Sequence, residues 1–187
     1  PDRKILHVLS QNFKVDERDG IKDPEGLSGH RLEAKVHLVT ISRNIEKDLT
    51  TCLELCGLDV NGFILEPLAS SHSILDKDEK ELGTVLVDIG GGTSDIIVYH
   101  NNAILHTGAI SLGGENLTKD IAYGLQTSIK QSQEIKHKFG SAKSELADEA
   151  IEVNVLGVAN RESKIISEKE LSKIIEPRIK EIFDLVN

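Results

Sequence analysis

Three consecutive glycines set between two strand-forming runs constrain this chain more than any other feature. In "TVLVDIGGGTSDIIVYH", Gly90, Gly91 and Gly92 break a pattern that otherwise alternates like a β-strand. Glycine packs nothing in a strand and loses the most backbone entropy on folding, so a triplet there needs a reason. A bend of glycines lets backbone N–H groups face a concavity with no Cβ in the way, a nest that binds anions and phosphate above all. Thr93 adds a hydroxyl donor. Asp88 and Asp95 stand at the two edges and would repel a bare phosphate, so a cation between them is implied. Magnesium suits, since it prefers carboxylate oxygens and bridges to phosphate through its water. The strand "DIIVYH" directly after the glycines argues against a dinucleotide-binding turn, which needs a helix there, and the Walker A lysine pattern is absent.

The flanking sequence places this bend in a mixed α/β fold. "KILHVLSQNFKVD" reads as a strand, followed by a polar loop, "ERDGIKDPEGLSGH". "RLEAKVHLVTI" alternates Leu32, Ala34, Val36 and Leu38 against polar neighbours, the pattern of a half-buried strand. Asn44 is in place to cap a helix with the stripe Ile45, Leu49, Cys52, Leu53 and Cys56, which Gly57 would stop. "GFILEP" is expected to be a short buried strand, "EPLASSHSIL" a small-residue helix and "DKDEKELG" a solvated loop. The strands on either side of the glycines, with "NN" at Asn101–Asn102 as a tight turn into "AILHTGAIS", predict a three-stranded antiparallel meander.

Beyond it, "LGGENLTKDIAYGL" begins a helix with Leu117, Ile121 and Leu125 on one face. A second helix ends at Gly140, and "IEVNVLGV" is a short strand. Ser167 and Glu170 form a capping box for a last helix that contains Pro177, where a kink is expected.

A net charge of −9 argues against nucleic acid and anionic membrane as direct partners. No run approaches a membrane span. The two cysteines, Cys52 and Cys56, have no further ligands in "CLELC" and read as buried structural thiols of a reduced, cytoplasmic protein. The seven histidines show no metal-ligand spacing. With no methionine, and a last helical pattern still running at "IFDLVN", the chain reads as a piece of a longer protein.

The motifs, in their order, resemble a known superfamily. "LVDIGGGTSDIIVY" resembles the second phosphate loop of the actin, DnaK-type chaperone and sugar-kinase group. "LEPLASSHSIL" resembles its interdomain helix, "SLGGENLTKDIAYGL" its adenosine-side glycine motif, and "SQEIKHKFGSA" the helix whose lysine lies along adenine and ribose. Within that group "GLSGHRLEAKVHLVT", "HTGAISLGGENLTKDIAYGLQT" and "IIEPRIKEIFDLVN" are similar to the bacterial FtsA family, and the resemblance covers essentially the whole chain.

The resemblance implies an actin-like (ribonuclease H-like) α/β fold, the chain spanning parts of both lobes with mixed sheets packed by helices. Residues 1–43 would end an insertion subdomain and 44–83 would belong to the first lobe. Residues 84–114 would form the second-lobe core and 115–187 its small subdomain. It further implies a scaffold that binds ATP and Mg2+, has at most weak ATPase activity, self-associates into filaments and tethers FtsZ at the cytoplasmic face of the inner membrane.

Carried over by match, Gly90, Gly91, Gly92 and Thr93 would cradle the β- and γ-phosphates. Asp88 and Asp95 would orient magnesium waters, and Asp88 would also place an attacking water. Gly113 and Gly114 would allow close approach of the sugar, and Lys136 matches the family lysine. Asn116 would cap its helix or touch the ribose, capping being the stronger expectation. Gln133 stands where the family usually has glutamate, so an altered ribose contact is expected.

Arg178 and Glu181 would face the acidic C-terminal tail of FtsZ, and the insertion subdomain would meet other divisome proteins. Membrane contact would come only through a C-terminal helix outside this chain. The family's first phosphate loop and last adenine motif would also lie outside it, so the piece alone is expected to bind nucleotide weakly or not at all. Two alternatives belong to the same superfamily, a DnaK-type chaperone ATPase and a small-molecule kinase. "GGENLTKD" departs from the chaperone pattern, and no kinase aspartate or substrate pocket is visible.

Overall fold

The computed structural model describes residues 2–157 and 162–187. It divides into two compact units, one of Pro1–Asp88 with Asp95–Gly108 and one of Ile89–Ser94 with Ala109–Asn187.

The first unit begins with β1 (Arg3–Val15), β2 (Arg18–Ile21) and β3 (Leu32–Ser42), a sheet in the order β2-β1-β3. β1 and β3 pair antiparallel along nearly their whole length, from Arg3 opposite Ser42 to Val15 opposite Leu32. β2 lies in a segment whose polar composition predicts a loop; its pairing with β1 shifts register between Arg18 and Ile21, where Gly20, at φ 71°, adopts a left-handed conformation. The alternation of β3 is present but its burial is reversed. Leu32, Val36 and Leu38 are exposed and Val39 is buried, so the face rich in aliphatic side chains has no cover among the described residues.

Helix α1 (Arg43–Leu55) follows β3 without a break, with Ser42 rather than Asn44 at the N-cap and no side-chain capping bond. Asn44 already lies in the first turn, where its side chain cannot play that role. Gly57 ends the helix at φ 76°. None of α1 is buried, and Cys52 and Cys56 are exposed free thiols, which corrects their reading as core residues. Their apolar stripe is real, but no other described element covers it.

Residues 60–65 form no strand, and the Leu65 amide donates to His7 Nε2 at 3.1 Å. An apolar run becomes a strand only when a partner pairs with it, and none does so here. Helix α2 (Glu66–Ile74) starts with Pro67 in its first turn. The charged "DKDEKEL" is helical, not a loop: α3 (Lys77–Leu82) opens on a capping box between Asp76 and Glu79.

β4 (Thr84–Ile89), β5 (Ser94–His100) and β6 (Ala103–Ile110) form the expected meander in that order. Asn101 and Asn102 turn it at φ 54° and 60°, the paired positive values of a tight hairpin that asparagine tolerates. The core of this unit gathers Leu68 of α2 with Ile97, Tyr99 and Ile104 of the meander, and the Tyr99 hydroxyl meets Ser71 Oγ at 2.7 Å.

The second unit packs α4 (Gly114–Leu125), α5 (Ile129–Phe139) and α6 (Glu168–Val186) with a hairpin of β7 (Glu152–Val155) and β8 (Lys164–Ser167). Sequence reading missed β8, whose four residues are too few to show an alternation. Val158, the end of the "IEVNVLGV" motif, lies outside the described residues. Leu117, Ile121 and Leu125 are buried as their spacing predicts, against Leu171, Ile175 and Ile182 of α6. Ile121, Leu171 and Ile182 are fully enclosed, each a gain of ~1.5–3 kcal/mol over exposure. Ser167 and Glu170 make the capping box, and α6 runs through Pro177.

Candidate functional site

The site grows from the glycine bend outward. The Gly90 amide closes the bend on the Thr93 carbonyl at 2.9 Å. The carbonyls of Gly90 and Gly91 point to the start of α4 and accept the amides of Gly114 at 2.9 Å and Glu115 at 2.8 Å. Two of the four amides that a helix start leaves without partners are thus satisfied by the bend. Ser94, fully buried, donates to the Leu112 carbonyl at 2.8 Å and ties the far side of the bend to the same segment.

Of the three glycines only Gly90 is crowded by the protein itself. A Cβ at Gly90 would sit 3.3 Å from the Thr93 carbonyl oxygen, and one at Gly91 would meet Glu115 Oε1 at 3.6 Å. Around Gly92 nothing lies within 4 Å. None of the three adopts the left-handed conformation, so backbone strain is not what selects glycine here. The Gly91 and Gly92 amides donate to no partner among the described residues. The fold therefore uses the carbonyls of the bend and leaves two of its amides exposed.

Gly113 is where the bend and α4 come closest. A Cβ there would stand 2.5 Å from the Gly91 carbonyl oxygen and 2.6 Å from that of Gly90. Asn116 caps the helix from inside its first turn, its Oδ1 accepting the Gly113 amide at 3.0 Å. At Gly114 a Cβ would come 3.4 Å from Lys136 Nζ, which donates to the Gly114 carbonyl at 2.8 Å. That ammonium is held below the usual lysine range by burial, opposed by attraction to Glu115.

Between α4 and α5 lies an open cavity of about 720 Å³ lined by Glu115, Thr118, Lys119, Lys130, Gln133 and Ile129, among others. The Gln133 side-chain amide bridges Thr118 Oγ1 at 2.6 Å and His137 Nε2 at 2.9 Å. Glu115, Thr118 and His137 were not singled out from the sequence. Thr118 and Glu115 lie within the glycine motif that was recognised, one helical turn apart on α4, and that spacing was the available signal.

Asp88 is the next-to-last residue of β4 and its Oδ2 accepts the Ser70 hydroxyl of α2 at 2.8 Å, both within the first unit. Asp95 is the second residue of β5 and half-buried. Among the described residues, no group of three or more His, Cys, Asp or Glu side chains is placed to hold a metal ion. A magnesium ion bound through its own water needs no such group.

Arg178 and Glu181 are neighbours on α6, as their spacing requires, and they form an ion pair. Arg178 is also gripped by Asp120 of α4, through Nε at 2.8 Å and Nη2 at 3.2 Å. The hydrogen bond to Asp120 is the main cause of its raised pKa. Around α6 from Arg178, Glu176, Ile179, Lys180 and Phe183 line, with Lys143, a groove of about 320 Å³ that the sequence does not reveal.

Comparison with known proteins fits this geometry. A family model described as "Cell division protein FtsA" matches residues 85–185, and one described as "SHS2 domain inserted in FTSA" matches residues 1–40. The chain belongs to the FtsA family. It is 43% identical to the cell division protein FtsA of Pseudomonas aeruginosa over 185 residues, 99% of this chain and 44% of that protein. It is 41% identical to FtsA of Escherichia coli K12 over 186 residues and 40% identical to FtsA of Bacillus subtilis over 188. This FtsA-family chain thus spans about 44% of the length of its Pseudomonas and E. coli relatives.

Its fold is that of the actin-like ATPases. It is similar to a chain of a PilM-PilN type IV pilus biogenesis complex, with a TM-score of 0.64 at 13% identity, covering 96% of this chain and 43% of that one. It is also similar to the ethanolamine utilization protein EutJ of Carboxydothermus hydrogenoformans, at 0.53 and 20%, covering 78% and 42%. Among the described residues no helix is long and apolar enough to cross a membrane.

Proposed function

We propose that this chain is the nucleotide-gripping part of an FtsA-type scaffold that binds ATP with Mg2+, self-associates and tethers FtsZ filaments at the division septum. One observation carries the nucleotide reading. Among the described residues nothing requires Gly92 to lack a side chain, and the Gly91 and Gly92 amides have no partner. Bare amides beside open space suit an anion, and the α4 N-terminus just behind them adds favourable potential.

In this reading Gly90–Gly92 and Thr93 take the terminal phosphates, and Gly113, Gly114, Gln133 and Lys136 border the nucleoside, with Asn116 as the cap of the intervening helix. Asp88 and Asp95 hold magnesium through water, and the ion would neutralise phosphate charge; Asp88 would also place the attacking water. The α4–α5 cavity of about 720 Å³ has room for a nucleoside. The FtsZ tail, an acidic peptide, is assigned to the α6 face that carries Arg178 and Glu181. An arginine there suits an acidic peptide. Residues 1–43 would serve contacts with other divisome proteins, and membrane attachment would lie outside this chain.

The test is calorimetric titration of full-length protein with Mg·ATP, comparing wild type with Gly92→Val and Lys136→Ala. Binding weakened at least ten-fold by Gly92→Val, with unchanged thermal stability, supports the reading; unchanged binding removes it. Titration with an FtsZ-tail peptide against Arg178→Ala and Glu181→Ala tests the partner surface in the same way.

A further inference from the structure

Glu115 touches the glycine bend and the α4–α5 cavity at once. Its amide donates to the Gly91 carbonyl at 2.8 Å, which fixes the first turn of α4 against the bend. Its side chain turns the same way. The carboxyl end lies against Gly91, with Oε1 3.6 Å and Cδ 4.0 Å from where a Cβ on that glycine would stand. The same side chain is exposed and lines the cavity. A ligand with its body in the cavity and an anionic end at the bend therefore runs past a carboxylate.

Two demands meet at that point. The Gly91 and Gly92 amides, without partners among the described residues, attract an anion, and the start of α4 behind them adds to the attraction. Glu115 opposes it with a like charge. Lys136 feels that carboxylate, whose attraction resists the lowering of its pKa by burial, and its ammonium is bonded to the Gly114 carbonyl. A divalent ion chelated by the phosphates covers their charge and removes most of the repulsion.

We propose that Glu115 is a specificity-determining residue: standing between the glycine bend and the α4–α5 cavity, it admits a polyphosphate tail that carries a divalent ion and turns away the same tail without one. Glutamine at this position would keep the reach and lose the charge. Lys119 and Lys130 line the cavity together with a second acid, Glu134 of α5, so the two carboxylates there are matched by two ammonium groups. At the bend the balance differs, since the atoms nearest the open side of Gly91 all belong to Glu115.

The choice of a polyphosphate rests on the ATP reading; the placement of Glu115 does not. Full-length protein is titrated with ATP in excess Mg2+ and with ATP in EDTA, for wild type, Glu115→Gln and Glu134→Gln. Glu115→Gln should tighten metal-free ATP on the order of three- to ten-fold and Mg·ATP by a smaller factor, so the penalty for removing magnesium shrinks. Glu134→Gln should leave that penalty at its wild-type size. A penalty unchanged in Glu115→Gln, or reduced equally in Glu134→Gln, overturns the proposal.

The second arm needs no nucleotide. In protein labelled with 13C at lysine, the Lys136 signal is identified by its loss in Lys136→Arg. It should titrate at lower pH in Glu115→Gln than in wild type, because the attraction that resists burial is gone. An unshifted titration overturns the placement of Glu115. Absence of ATP binding in wild type, with and without magnesium, sinks the ATP reading and the selectivity with it, and the lysine titration then judges the placement alone.

Discussion

Gly113 lies so close to Gly91 that a Cβ on it would stand 2.5 Å from the Gly91 carbonyl oxygen. The contact is backbone on backbone, so no side chain can swing aside to relieve it. Gly113→Ala must push the bend away from α4 and should cost ~1–3 kcal/mol, the range for overpacking. Gly92→Ala, with nothing within 4 Å of the new methyl, should leave stability unchanged. Thermal unfolding of the two variants checks the contrast; equal midpoints would mean that the close approach is not real.

Ser144 donates to Glu176 twice, from its hydroxyl at 2.6 Å and its amide at 3.2 Å. These bonds, the hydroxyl first, hold the Glu176 carboxyl below its ordinary value of 4.5. A carboxylate whose pKa is lowered by folding contributes stability above the unfolded value, and that contribution is lost as pH falls through the folded value. The gap in melting temperature between wild type and Ser144→Ala should therefore be constant near neutrality and shrink as pH falls below 4.5. A gap that does not depend on pH would show that the hydroxyl–carboxylate bond contributes nothing.

Asp120 competes for the guanidinium that the tail-binding reading needs. Arg178 is only partly exposed and already paired twice, with Asp120 and Glu181. Asp120→Asn should cost under about 1 kcal/mol, the usual worth of a partly exposed ion pair, while weakening the hold on Arg178. Affinity for an acidic FtsZ-tail peptide should then rise several-fold. A fall in affinity would mean that Asp120 orients the arginine instead of sequestering it.

Cys52 and Cys56 are exposed on α1, and α1 has no buried residue. In the 187-residue chain both thiols should react with a thiol-specific reagent in native buffer as fast as after denaturation. Slow native reaction would mean that the apolar face of α1 is covered in solution.

The sequence showed most clearly the elements whose residues settle their own conformation. Asn101–Asn102 had to turn, Ser167 and Glu170 had to start a helix, and Leu117, Ile121 and Leu125 had to share a buried face. Where structure depends on a distant partner, the local pattern misled. The aliphatic residues of β3 and the thiols of α1 carry the signature of a core, yet nothing described here covers them. The run "GFILEP" has strand composition and no strand beside it.

The charge of "DKDEKEL" predicts a solvated loop, and the Asp76–Glu79 capping box makes it a helix instead. At the site, glycines and the family lysine were visible as motifs. That the bend caps α4 with its carbonyls was not, since it depends on two segments about twenty residues apart meeting edge to edge. The Thr118–Gln133–His137 bridge was hidden for the same reason.

The bend that lends its carbonyls to Gly114 and Glu115 is also the anchorage of α4. It cannot be tugged without either snapping those two links or dragging the helix along. Leu117 and Ile121, wedged against α6, would pass such a stroke into the interior, so pulling at the glycine tip is felt on the opposite flank of this unit.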